Sequence, residues 1–302
     1  MRVLAALFLP LGPLFGQVQP SLIAPVQSVQ PGHPLTVAFR LVQDSGWHTY
    51  WLNPGTGLPT SIDWTLPPGW KAGPLQFPAP SLIHDNQGAI AGNGYDGPEV
   101  ILPVTLTPPV NLAAGTSITL KGHVEWLMCR EVCQPGHGDV ELILPVAQDP
   151  AKPDATFGAK LETVLQNLPR SDPRWKATAT KGQETVTLIV TPVGPIEHAP
   201  EKVHFFCNDS LIAFDQPQSL QPDGHGGLIL TLPIAPDAPE HPTQLAGVLT
   251  SANGWLADGS LPGLRIQVPL VAPGTPSVTP AAPSIPPTPT NGSNTRGGWS
   301  GC

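Results

Sequence analysis

Proline and glycine are the residues that most restrict how this chain can fold. Its 302 residues include 41 prolines and 31 glycines. Proline lacks a backbone N–H and interrupts helices, and both residues favour turns. The composition therefore predicts many short strands joined by turns rather than long helices. Hydrophobic residues make up 40% of the chain, enough to build cores, and the length suits about two domains.

Short segments of strand-forming residues recur in two blocks, separated by clusters of Gly, Pro and Asn. Regularly spaced short strands are typical of antiparallel β-sandwiches. We therefore predict a mainly β protein with one sandwich domain in each block. The first block has expected strands at Pro34–Val42, Trp47–Leu52, Ser61–Leu66, Glu99–Leu106, Ser117–Leu127 and Asp139–Val146. The second has them at Glu184–Thr191, Lys202–Phe206, Gly227–Leu232, Gln244–Thr250 and Leu264–Leu270.

One segment has helical periodicity. Between Asp154 and Leu168, apolar residues recur on a single helical face. Pro153 precedes the segment and Pro169 ends it. We predict a short amphipathic helix that connects the two β domains. The apolar face consists of Phe157, Leu161, Val164, Leu165 and Leu168.

The two ends of the chain differ from the rest. Arg2, the apolar run Val3–Phe15 and the small residue Gly16 predict a secretory signal peptide over residues 1–17. Export would place the cysteines in an oxidising compartment. Residues 273–302 are rich in Pro, Ser, Thr and Gly, which predicts a disordered tail. The expected boundaries are 18–150 for the first domain, 151–172 for the connector and 173–272 for the second domain. The net charge of −8 argues against nucleic-acid binding.

The most reactive motif is the pair Cys129 and Cys133, followed by an expected turn at Gln134–Gly136. An extended strand would separate their Cα atoms by about 13 Å, whereas a disulfide needs about 4.4–6.8 Å. If the two residues pair, the backbone must turn tightly between them. Three hypotheses are open: a redox-active pair, an inert disulfide in a non-catalytic β scaffold, or a copper site that adds Met128 and His137. On a continuous helix, Cys129, Cys133 and His137 would share one face. Pro135 and Gly136 would interrupt that helix, which weakens the copper hypothesis.

Several runs of the first block carry a family resemblance. The runs are Trp47–Gly55, Gly57–Thr60, Ile62–Trp64, Leu66–Pro67, Gly94–Gly97, Val100–Val104 and Cys129–Gly136. Together they resemble the N-terminal periplasmic domain of DsbD-type thiol:disulfide interchange proteins, and most of all the longer branch that includes ScsB-like proteins. The second block resembles, with weaker motifs, the further β domain of those longer members.

The resemblance implies immunoglobulin-like domains and a protein-disulfide reductase module without a dissociable cofactor. Such a module takes electrons from a membrane-embedded domain and passes them to periplasmic thioredoxin-like proteins, among them disulfide isomerases and cytochrome c maturation factors. The resemblance also implies that Cys133 is the attacking thiol and that an aromatic loop caps the cysteines. Tyr95 and Asp96 match that loop, and Asp96 is a candidate proton shuttle. This sequence contains neither the membrane region nor a C-terminal thioredoxin-like domain, so we expect either that those parts are encoded separately or that the chain is a truncated product.

The remaining candidate residues have simpler interpretations. Arg130 favours a neighbouring thiolate, while Glu131 opposes it. Cys207 is predicted to be a buried free thiol, and Cys302 a terminal thiol able to cross-link. We expect four aromatic residues to be core residues, namely Trp47, Tyr50, Trp51 and Trp64.

Overall fold

The computed structural model describes residues 17–273, which are almost entirely β structure. Apart from Gln17 and Pro273, the predicted signal peptide and tail lie outside these residues, as does Cys302. The mainly β prediction is confirmed. The strands are β1 Val18–Ile23, β2 Leu35–Gln43, β3 His48–Tyr50, β4 Ser61–Thr65, β5 Lys71–Ala72, β6 Ser81–His84, β7 Ile90–Tyr95, β8 Glu99–Thr107, β9 Ser117–Cys129, β10 Cys133–Pro145, β11 Trp175–Lys181, β12 Thr185–Pro192, β13 His204–Cys207, β14 Ser219–Pro222, β15 Leu228–Pro233, β16 Gln244–Thr250 and β17 Gly263–Val271.

The first β unit consists of two antiparallel sheets that pack face to face. One sheet has the order β1-β2-β8-β5, and the other has the order β10-β9-β3-β7-β6, with β4 also paired to β9. Strand β9 alternates over most of its length: Val124 and Trp126 are buried, whereas His123 and Glu125 are exposed. The inward side chains meet Phe39 and others from the opposite sheet in one apolar core. This period-two pattern is what fixes which face of β9 lies outward.

The helix α1, Gly158–Gln166, packs on the other face of the four-stranded sheet. Leu161 is fully buried against Ile23, Ala38 and Ile101. The predicted helical face is therefore used, although the helix is shorter than the sequence pattern suggested. This contact explains why β2 is buried on both of its faces. In residues 17–273, no helix has the length and apolar character needed to cross a membrane.

The second β unit is one seven-stranded sheet in the order β13-β16-β17-β11-β12-β15-β14. Its pairings are antiparallel except for β11 with β17, which are parallel. Phe205 on the end strand β13 and Leu230 on β15, the strand next to the other end, share a single apolar core. The sheet therefore curves around that core.

The expected turn at Gln134–Gly136 is wrong. These residues belong to β10, which begins at Cys133, and the chain reverses over the three residues 130–132. Strand β10 is the edge of its sheet. An edge strand tolerates a proline because one side of it makes no ladder hydrogen bonds. Gly136 lies so close to the Trp126 ring that a Cβ atom there would overlap it, so its role is close packing rather than a turn.

Candidate functional site

The hairpin formed by β9 and β10 brings the two cysteines together. Cys129 and Cys133 are directly opposite each other in the strand register. Their Cα atoms are 4.1 Å apart, and the two sulfurs form a disulfide. The tight turn that pairing required is the three-residue loop between them.

The two sulfurs of this disulfide differ in their surroundings. Cys129 is only 2% exposed, whereas Cys133 lies on the exposed edge strand. The loop residue Val132, next to Cys133, is a large apolar side chain with 68% exposure. A thiol of another protein can therefore approach Cys133 but not Cys129.

A tyrosine hydroxyl contacts the disulfide from the neighbouring strand. The Tyr50 Oη atom donates a hydrogen bond to the Sγ atom of Cys129 at 3.1 Å and lies 3.8 Å from the Sγ atom of Cys133. Tyr50 reaches the sulfurs because β3 pairs with β9 beside Cys129. Burial raises the pKa of the Tyr50 hydroxyl, so at neutral pH it stays protonated and can donate.

Two glycines hold the Tyr50 ring in place. A Cβ atom at Gly57 or at Gly92 would lie only 3.1 Å from ring atoms of Tyr50. Gly57 has φ +88°, a conformation that side chains other than glycine rarely adopt. The ring is therefore packed tightly against backbone, which limits the movement of its hydroxyl.

A histidine is the second neighbour of the disulfide. His48 lies opposite Cys129 in the pairing of β3 with β9, and its ring stands edge-on to Tyr50 with centroids 5.4 Å apart. Burial lowers the pKa of His48, while the negative charge of Asp96 acts in the opposite direction. The imidazole is therefore neutral at pH 7. Its Nε2 atom is buried and has no hydrogen-bond partner among residues 17–273.

The predicted cap residues lie beside this group. The Tyr95 hydroxyl donates to the carbonyl oxygen of Pro78 at 2.9 Å, away from the sulfurs. Asp96 is exposed, and its charge acts on His48. The cap and proton-shuttle roles stay predictions.

The sequence interpretation missed Tyr50 and His48 as site residues and assigned Tyr50 to the core. Alternation places positions 48 and 50 on one face of a strand. No local pattern, however, identifies β9 as the strand that they pair with.

The structure does not bring the four candidate copper ligands together. The Met128 side chain belongs to the core cluster on the opposite face of β9 from Cys129. His137 is opposite Glu125 on β10, and its distance from Cys133 along the strand is roughly 13 Å. Across the described residues 17–273, no group of three or more His, Cys, Asp or Glu side chains is arranged to hold a metal ion.

Cys207 is a buried free thiol, as predicted. Its Sγ atom donates to Oδ1 of Asp209 at 3.1 Å, and burial raises its pKa to about 12. Cys207 is therefore a poor nucleophile near neutral pH.

The four aromatic residues predicted to be core residues are buried or pack in apolar clusters. They are Trp47, Tyr50, Trp51 and Trp64.

Comparison with known proteins identifies a family for the first β unit. Residues 18–145 match the family described as thiol:disulfide interchange protein DsbD, N-terminal. A solved structure with a similar fold is the N-terminal periplasmic domain of ScsB from Proteus mirabilis, with a TM-score of 0.55 and 19% identity. That match covers 83% of this chain and 90% of the ScsB chain. Residues 18–145 form a DsbD-type N-terminal domain. The hairpin that carries Cys129 and Cys133, together with Tyr50 and His48, lies within this domain.

Other matched structures are more distant. The adhesin FdeC of Escherichia coli is 15% identical, with a TM-score of 0.20 over 83% of this chain and 64% of FdeC. The major pilin subunit BcpA of Bacillus cereus is 7% identical, with a TM-score of 0.26 over 84% of this chain and 68% of BcpA. Neither similarity is strong enough to carry an argument. No curated protein matches the sequence.

Proposed function

We propose that the Cys129–Cys133 pair is a thiol:disulfide exchange centre that passes reducing equivalents to periplasmic thioredoxin-like proteins or disulfide isomerases. The observation that carries this proposal is the asymmetry of the pair. Cys133 is exposed on an edge strand, whereas Cys129 is buried beneath a hydroxyl donor. An inert disulfide needs neither an accessible sulfur nor a protonated hydroxyl at the other one.

The exchange proceeds in two displacements. In the reduced pair, the Cys133 thiolate attacks one sulfur of a partner's disulfide, and the partner's other sulfur leaves as a thiolate that takes up a proton. Cys129 then loses its proton and attacks the Sγ atom of Cys133, which releases the second partner sulfur. The partner gains two electrons and two protons, and the Cys129–Cys133 disulfide forms.

Tyr50 acts on the second displacement. Its hydroxyl is 3.1 Å from the Sγ atom of Cys129 and can donate to that sulfur when it carries negative charge. Hydrogen bonds to charged groups are stronger than those to neutral ones. The donor therefore favours the Cys129 thiolate that must attack Cys133.

The periplasm and the electron donor belong to the same proposal. The similar ScsB structure is described as a periplasmic domain, and the sequence of residues 1–17 predicts export. A membrane electron-transfer domain would return the oxidised pair to the dithiol by the reverse exchange.

Trapping of a mixed disulfide tests the proposal. The protein is prepared with Cys302→Ser to remove the terminal thiol, and Cys129→Ala is then compared with Cys133→Ala. Against an oxidised periplasmic thioredoxin-like protein, Cys129→Ala should accumulate a mixed disulfide through Cys133, because no second thiol resolves it. Cys133→Ala should accumulate little, because the remaining sulfur is buried.

Gel shift and mass spectrometry of the cross-linked peptide identify the bonded cysteine. The wild-type pair should instead reduce the partner and become oxidised. If neither variant forms a mixed disulfide, and the native disulfide resists dithiothreitol, the pair is an inert structural bond and the proposal is wrong.

A further inference from the structure

The loop that follows Tyr50 is also where the second β unit meets the first. We propose that the second unit is a positioning element of the redox site and that Asn53 is its anchor. The inference rests on the proposed function, because it assigns the second unit a role in the same exchange. Its evidence is a continuous set of contacts from β13 to the Tyr50 ring.

Asn53 joins the two units directly. Its Nδ2 atom donates to the carbonyl oxygens of Cys207 at 2.9 Å and of Asp209 at 2.6 Å. Its Oδ1 atom accepts a hydrogen bond from the backbone N–H of Gly55 at 3.3 Å within its own loop. One side chain therefore shapes the loop with its oxygen and attaches that loop to the second unit with its nitrogen.

Aromatic packing reinforces this attachment on both sides of Asn53. Trp51 is 1% exposed and packs edge-on against Phe206 of β13, with ring centroids 6.0 Å apart. Phe214 covers Gly55 so closely that a Cβ atom at position 55 would overlap its ring. Burial of these large aromatic side chains fixes where the second unit packs on this loop.

The same loop reaches the disulfide through Tyr50. The buried residue Asn93 ties the loop to β7: its backbone N–H donates to Pro54 O at 2.9 Å, and its side chain donates to Asn53 O at 3.0 Å. At the far end of the loop, Gly57 packs against the Tyr50 ring. Displacement of this loop therefore displaces the wall that holds the Tyr50 hydroxyl against Cys129.

The chemistry of Asn53 allows a selective test. Asn53→Asp keeps an oxygen for the Gly55 N–H but replaces the donor to the second unit with a carboxylate that faces two carbonyl oxygens. Phe214→Leu loosens the same contact from the second unit and changes no residue of the redox domain. Asn208→Asp is the matched control, since it makes the same chemical change at an exposed neighbour whose side chain makes no hydrogen bond among residues 17–273.

The measurement is the reduction potential of the full chain, determined by equilibration with oxidised and reduced dithiothreitol. Asn53→Asp and Phe214→Leu should each lower the equilibrium constant for reduction about three- to tenfold, since the reduced pair loses its donor. A tenfold decrease corresponds to about 30 mV for this two-electron couple. Asn208→Asp should leave the potential at the wild-type value.

A double-mutant cycle with Tyr50→Phe separates positioning from simple structural support. If Asn53 acts through the tyrosine hydroxyl, Asn53→Asp should cause no further shift of the potential once that hydroxyl is absent. An equal shift in both backgrounds, or lower stability with an unchanged potential, would overturn the inference.

The proposed function and the present inference are tested by different experiments. Failure to exchange with a thioredoxin-like protein would defeat that function. The dithiothreitol equilibrium would still decide whether the second unit sets the potential of the pair.

Discussion

Removal of the Tyr50 hydroxyl is the most direct test of how this site works. Tyr50→Phe deletes one oxygen atom, which lies 3.1 Å from the Sγ atom of Cys129. The ring that remains still fits between Gly57 and Gly92. The variant therefore removes the donor while leaving the packing of the site intact.

The size of the effect follows from the difference between the two redox states. A disulfide sulfur is a weak acceptor, whereas a thiolate accepts a charge-assisted hydrogen bond worth about 1.5–3 kcal/mol. Because an ordinary cysteine thiol has a pKa of about 8.5 and is only partly ionised near neutral pH, we expect a differential stabilisation of about 1–1.5 kcal/mol in favour of the reduced form. Its loss should lower the reduction potential by about 20–30 mV.

The assay is a series of dithiothreitol redox buffers, followed by acid quenching, alkylation and mass determination of the reduced fraction. Tyr95→Phe is the natural comparison, because the chain contains two tyrosines and the Tyr95 hydroxyl donates to Pro78 O instead. Tyr95→Phe should lower the stability of the protein but leave its reduction potential at the wild-type value. An unchanged or raised potential in Tyr50→Phe would refute the assignment of its hydroxyl as a donor to the reduced sulfur.

Three further predictions concern the rest of the molecule. Cys207 should resist iodoacetamide in the native protein at pH 8 and react after denaturation, because burial raises its pKa to about 12; peptide mass spectrometry checks this, and native-state labelling would contradict it. Burial lowers the pKa of His204 to about 4, below its ordinary value of 6.5, so the unfolded state binds that proton more readily. Stability should therefore fall by about 3 kcal/mol between pH 6.5 and pH 4. Urea unfolding at pH 7 and pH 4 should show a smaller loss of stability in His204→Gln than in the wild-type protein. An equal loss in the two proteins would refute this cause. Leu161→Ala should destabilise the protein by about 2–5 kcal/mol, because the fully buried side chain attaches α1 to the first unit. Thermal unfolding measures this loss, and the reduction potential should not change.

The strands that were predicted from the sequence are those whose burial alternates or whose residues strongly favour β structure. Strand β9 is an example, since its buried and exposed residues alternate over most of its length. Strand β7 was not predicted, because Gly92, Asn93 and Gly94 are residue types that are ordinarily found in turns. In the structure its glycines allow close approach of β3 and of the Tyr50 ring, which is a tertiary requirement.

The cysteine hairpin was also predicted only in part from the sequence. Spacing alone required a tight reversal between Cys129 and Cys133 if the two residues were bonded. The position of that reversal was predicted incorrectly, because Pro135 and Gly136 are ordinarily turn residues. Their place in β10 depends on the strand being a sheet edge and on the Trp126 ring that packs over Gly136.

The sequence by itself determined the β-rich class, the amphipathic helix and the choice of Cys129 and Cys133 as the candidate pair. These properties depend on local composition, periodicity and spacing. Only the tertiary structure decided which sulfur is accessible, which hydroxyl contacts the other sulfur, and which loop connects the site to the second unit. Tyr50 and Cys129 are 79 residues apart in the chain, and Asn53 and Cys207 are 154 apart. A strand pattern specifies which face is buried but not the distant strand that pairs with it, so these contacts arise only when the sheets assemble.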